Sequence, residues 1–222
     1  MIVRKSIVNI YLNVINMIDY IVRHLRRYRY ATLSKRLKNK DFTLLSNNCL
    51  GAIYLHDIHQ PFNTPMVNAG MVPKEYLKFL NNLEYYLGLE IKMAPEESNA
   101  KQQYGYVGDV HVWFEHFKYE DEPREKWNIR RKRVNMNNLF VMMTEKDNCT
   151  YEDLVAFDNL PFKNKVVFTV RDYPEIKSAF HLKGCTDPKT RQLGYAYEYP
   201  HCWSLKRYLE QFDLIKWFNN NQ

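Results

Sequence analysis

Leu139-Phe140-Val141-Met142-Met143, Thr150-Tyr151-Glu152-Asp153 and Asn164-Lys165-Val166-Val167-Phe168-Thr169-Val170 follow one another within a single stretch, and their reading decides the fold. The first run is apolar without alternation and short, as a strand buried on both faces is. Thr150 is followed three residues on by Asp153, the pattern in which a helix cap and its third residue exchange hydrogen bonds. The third segment is again apolar and β-branched. A strand, a helix and a strand in that order predict parallel pairing, because the chain must cross over to return to the same edge.

Upstream, Phe42-Thr43-Leu44-Leu45 stops at Ser46-Asn47-Asn48, as a buried strand ending in a loop does. The segment Cys49 to Ile58 carries apolar residues at helical spacing, so Cys49 falls at a strand-to-helix junction. Pro73 opens a helix predicted through Tyr86, with Tyr76, Leu77, Phe79, Leu80, Leu83 and Leu87 on its apolar face and Gly88 as its stop. Residues 90–93 and 104–117 read as strands, the second placing His116 on one face with Val110, Val112 and Phe114. A charged amphipathic helix is predicted over 121–134 and a closing helix over 204–218. These elements predict an α/β fold: a mixed, partly parallel sheet with helices on both faces, preceded by an N-terminal amphipathic helix.

With 45% apolar and 15% aromatic residues, a chain of 222 can bury a full core, which excludes a disordered polypeptide. No Ser/Gly linker, low-complexity tract or internal repeat divides it. Residues 38–222 are therefore read as one domain, and residues 1–37 as a basic helix and its connector. Cys49, Cys149, Cys185 and Cys202 are scattered, without the spacing of a metal site or a disulfide framework, so a reducing cytoplasm is the expected setting and no metal is implied. The first thirty residues are strongly apolar, yet Asn9, Asn13, Asn16 and Asp19 interrupt a run that a bilayer would need to be about 20 residues long. Residues 1–30 are expected to pack on their own domain or in a homodimer, or to make a peripheral contact with an anionic membrane.

Chemistry concentrates at Cys49. A thiol at a helix N-terminus faces free backbone N–H groups and the positive end of the helix dipole, both of which lower its pKa. Such a nucleophile needs a base and the base needs an orienting acid. His116 is the preferred base, with His56 and His59 as alternatives; Asp147, Asp109 and Asp172 lie at strand ends or in loops where an acid could serve. Ser46, Asn47 and Asn48 border the cysteine. Trp127, Arg130 and Arg131 belong to a helix that joins an aromatic to the basic run Arg130-Arg131-Lys132-Arg133, and such a face could hold a phosphate. The equally simple reading of that helix is a solvated charged face. No Walker loop, GxGxxG or DxD motif is present, no cofactor is implied, and no motif supports nucleic-acid binding.

The blocks Lys40-Asp41-Phe42, Ser46-Asn47-Asn48-Cys49, Pro61-Phe62-Asn63-Thr64-Pro65, Pro73 to Leu80, Lys126 to Asn135 and Asp158 to Phe168, in this order, resemble the bacterial family of domain of unknown function 1919. The resemblance covers residues 38–182; Leu50 departs from it, standing where the family pattern has tryptophan. It implies an α/β fold, a setting in capsule or exopolysaccharide biosynthesis, in places an acetyltransferase label, and a partner that is a glycan or a nucleotide- or lipid-linked sugar precursor. The Ser-Asn-Asn-Cys corner with a later histidine also looks like papain-like cysteine enzymes, which implies Cys49 as nucleophile and His116 as base.

Overall fold

A computed structural model describes residues 2–94, 103–119 and 121–220, with side chains described from residue 16 onward. The chain runs α1 (Ile2–Arg36), β1 (Thr43–Ser46), α2 (Leu50–Asp57), β2 (Ala69–Gly70), α3 (Pro73–Asn81), α4 (Leu83–Gly88), β3 (Ile91–Met93), β4 (Gln103–Val107), β5 (Val110–Phe114), α5 (Glu122–Arg131), β6 (Leu139–Thr144), α6 (Tyr151–Asp158), β7 (Asn164–Thr169), β8 (Ala179–His181), a 3-10 turn (Tyr208–Gln211) and α7 (Leu214–Asn219).

The α/β class holds, with the strands divided between two sheets. One is wholly parallel in the order β1-β6-β7-β8, and the other is antiparallel in the order β2-β5-β4-β3. The parallel sheet is covered on both faces, and its side chains alternate accordingly. Leu45, Val141, Met143 and Val167 join a core with α3, α4, α5, α6 and the antiparallel sheet. Leu44, Phe140, Met142, Val166 and Phe168 join a second core with α1, α2, the 3-10 turn and α7. Each fully buried aliphatic side chain here contributes about 2 kcal/mol relative to exposure.

The capping box predicted for α6 is present: the Asp153 N–H donates to Thr150 Oγ1 at 3.2 Å, and the Thr150 N–H donates to Asp153 Oδ2 at 2.9 Å. Three expectations are corrected. The strand over 104–117 is a hairpin, because Gly108, at φ +61°, lets β4 fold back as β5. The helix from Pro73 breaks at Asn82, whose φ of −131° and ψ of 46° separate α3 from α4. The closing helix is a 3-10 turn followed by α7, which Asp213 starts anew by accepting the Lys216 N–H.

Helix α2 lies close against β1. A Cβ on Gly51 would stand 3.0 Å from the Ser46 Cβ and 3.2 Å from Leu44 Cδ2, so glycine permits the approach that fixes where α2 begins. This places the Asn48-Cys49 turn at the carboxyl end of the parallel sheet, the edge where open α/β sheets bind ligands.

Candidate active site

A cleft of about 840 Å³ opens at that edge. Cys49, His116 and Asp147 all line it, together with Asn48, Glu115 and Lys146. The strand ends and the α2 start supply Asn48, Cys49, Thr144 and Asp147; the antiparallel sheet supplies Trp113, Glu115 and His116; the segment 194–197 supplies Tyr195 and Tyr197.

The helix start at Cys49 is built by its neighbour. Asn48 Oδ1 accepts the Leu50 N–H at 3.1 Å while Asn48 Nδ2 donates to Thr144 Oγ1 at 2.8 Å, tying the corner to β6. Asn47 is buried and accepts the Thr144 N–H at 3.1 Å, and its carbonyl takes the Met71 N–H at 2.9 Å. Ser46 is buried inside β1, and Ser46 Oγ and Asn47 Nδ2 have no hydrogen-bond partner among the described residues. Neither residue lines the cleft, so Asn48 is the member of this trio that faces it.

The lowered thiol pKa expected at Cys49 is reversed. Burial pushes the thiol up and the Glu115 carboxylate adds to the rise, while the Asn68 and Ala69 backbone N–H groups act against both. Desolvation outweighs the pull of the helix terminus, and the resting group is a neutral thiol.

His116 does not share the core face assigned to it. Strand β5 ends at Phe114, and His116 adopts φ +63°, which turns its ring out of the sheet to the mouth of the cleft, 77% exposed. Its Nε2 stands 3.7 Å from Glu115 Oε2, so the carboxylate beside the histidine is that of Glu115 and not of Asp147. Asp147, at φ 56° and followed by Asn148 at φ 64°, reaches the cleft from the loop after β6. Burial raises its carboxyl above the usual range, Lys146 opposes the rise and Glu115 adds to it.

Trp127, Arg130 and Arg131 lie outside the cleft lining. Trp127 is 1% exposed and packs edge-on to Phe79 and Phe114, its ring centroids 6.2 and 6.3 Å from theirs. Arg130 Nη1 donates to the Val67 carbonyl at 3.1 Å and Arg131 Nη1 to the Leu87 carbonyl at 2.6 Å. Of the remaining candidates, His56 is exposed at the end of α2 beside Asp57, and Asp109 binds Lys78 Nζ at 2.6 Å and the Tyr86 hydroxyl at 2.8 Å on the β4–β5 turn. His59 and Asp172 likewise lie outside the cleft lining.

Residues that sequence reasoning passed over form the walls. Trp113 lies over Gly70, where a Cβ would come within 2.3 Å of its indole; Tyr195 and Tyr197 stand 5.3 Å apart, and Lys146 Nζ sits 3.8 Å from the Tyr195 ring centroid. Aromatic faces beside Asn48, Asn68 and Asn148 can hold a ligand with one apolar surface and several hydroxyls or carbonyls. A signal for them existed only in the alternation of β5, which put Trp113 and Glu115 on the face opposite Val112.

A protein of Haemophilus influenzae described as uncharacterized is 42% identical over 189 residues, covering 85% of this chain and 89% of its own length. Residues 8–219 match the family described as Domain of unknown function (DUF1919), a span that runs from within α1 to the end of α7 and takes in every residue of the cleft, and the chain belongs to that family.

Proposed function

We propose that this cleft performs cysteine-dependent acyl transfer or hydrolysis on a glycan or its sugar precursor, in the biosynthesis of a capsule or exopolysaccharide. The observation that carries the reading is the convergence of Cys49, His116, Glu115 and Asp147 on one cleft with aromatic and amide walls. Because the Cys49 thiol is held neutral, it acts as serine does in hydrolases, losing its proton as it attacks. Sγ forms a bond to the acyl carbon, and the thiol proton passes to His116, which Glu115 steadies. The leaving group departs with that proton and a thioester remains on Cys49. A sugar hydroxyl, or water, then attacks the thioester, its proton passing through His116 back to Sγ. In this reading the Asn68 and Ala69 N–H groups, which face the Cys49 sulfur, serve as donors to the acyl oxygen, a contribution of about 3–4 kcal/mol for each effective one.

The test uses p-nitrophenyl acetate as acyl donor, with acid quenching and mass spectrometry of the Cys49 peptide. An acetyl adduct on Cys49, absent in Cys49→Ser and formed more slowly in His116→Ala, supports the mechanism. Release of p-nitrophenol at the same rate by Cys49→Ala overturns it. The neutral thiol also favours a second reading, in which the cleft binds a glycan at the inner membrane surface without chemistry. Under that reading an oligosaccharide binds equally to the parent and to Cys49→Ala, and neither turns over.

A further inference from the structure

Helix α1 has two unlike faces. Val22, Tyr30 and Leu33 are buried against the body, Arg26 donates to the Cys202 and Ser204 carbonyls at 2.7 and 2.9 Å, and Arg29 pairs with Glu210. On the other side Met17, Ile18, Ile21, Leu25 and Tyr28 are exposed, and their spacing of three and four residues gathers them into one stripe. Such a concentration of exposed apolar surface marks a contact.

Charge identifies what the stripe meets. Eight basic residues and one acidic residue, Asp19, lie between Ile2 and Arg36, so α1 alone carries an excess equal to the +7 of the whole chain. Arg27 is exposed beside the stripe, and Lys35 and Arg36 are exposed where its line reaches the C-terminal end of α1, whereas Arg23 lies on another face, paired with Asp19. A second copy of the chain would set two such cationic helices against each other, whereas an anionic lipid surface complements the helix. Among the described residues no helix is long and apolar enough to cross a bilayer, which leaves a helix lying in the interface. We infer that the outer stripe of α1, with Arg27, Lys35 and Arg36 at its border and end, docks this protein on an anionic lipid bilayer.

This inference does not depend on thiol chemistry.

The experiment is co-sedimentation of the full chain with vesicles of equimolar phosphatidylcholine and phosphatidylglycerol, and with phosphatidylcholine alone. The expected result is binding to the anionic vesicles at low salt, release at high salt and little binding to the neutral ones. Arg27→Gln and Lys35→Gln each weaken partitioning about fivefold. Ile21→Glu with Leu25→Glu abolishes it while leaving the melting temperature unchanged, and Cys49→Ala binds as the parent does. A full chain that stays in the supernatant with anionic vesicles at low salt overturns the inference, as does undiminished binding by the double glutamate variant. So does a solution dimer that the double variant converts to monomer, which would give the stripe to a second copy.

Discussion

The corner Ser46 to Cys49 and helix α5 both carry residues suited to binding, but the fold uses them in opposite ways. At the corner a parallel strand ends, α2 begins, and Asn48 and Cys49 open onto the cleft. In α5 the aromatic ring is driven into the core, and two guanidinium groups are turned onto the Val67 and Leu87 backbone carbonyls. Composition gives α5 the aromatic and basic groups of a phosphate-binding face. Position in the topology separates them: the carboxyl edge of a parallel sheet is concave and leaves strand-end side chains unpaired, whereas a helix packed beside the antiparallel sheet has its apolar and basic groups absorbed by its neighbours.

The comparison breaks most easily at Trp127. Truncation to alanine removes a buried indole held between Phe79 and Phe114, and the unfolding free energy is expected to fall by about 3–5 kcal/mol in urea titration. The pH profile of Cys49 alkylation should stay unchanged in the folded variant. A stable Trp127→Ala with an altered Cys49 profile would mean that α5 reaches the cleft after all.

Arg130→Ala and Arg131→Ala sharpen it further. Each leaves one carbonyl, of Val67 or of Leu87, without its donor, at a cost of about 1–3 kcal/mol where the carbonyl stays dry. Neither change should weaken the binding of a phosphate-bearing sugar. Selective loss of such binding at unchanged melting temperature would restore α5 as a substrate-contacting face.

The parallel strands were legible because burial on both faces leaves unbroken apolar runs, and α6 because Thr150 and Asp153 sit at cap spacing. Cys49 was legible as a junction residue for the same reason: β1 and α2 each announce their ends. The hairpin was legible too, in Gly108-Asp109 between Val107 and Val110, a two-residue turn signal that a single strand over 104–117 passes over. His116 goes to the wrong face because alternation is carried past Phe114, where β5 ends, and this hides Glu115 as the carboxylate at its side. Trp127 could not be assigned because the chain states only that it lies on an amphipathic helix, not which neighbour covers it.

The smallest effect is the most informative about the corner. Alkylation of Cys49 by iodoacetamide should rise with pH along a curve displaced above that of an ordinary thiol, because burial and Glu115 both hold the proton on sulfur. Glu115→Gln removes the second cause and should move the midpoint down, leaving the larger desolvation part in place. The linked effect on stability has a definite sign. A thiol whose folded pKa is raised keeps its proton in the native state after the unfolded chain has lost it, so its stabilisation is complete below the unfolded value and is lost as pH climbs through the folded one. Cys149 and Cys185, pushed up to about 12 and about 11, act in the same direction, and the parent protein should lose stability steadily above about pH 9. Cys49→Ala should lose less over that range. If its alkaline slope equals the parent's, Cys49 titrates alike in the folded and unfolded chain, and the upward shift that burial and Glu115 impose on its thiol is refuted.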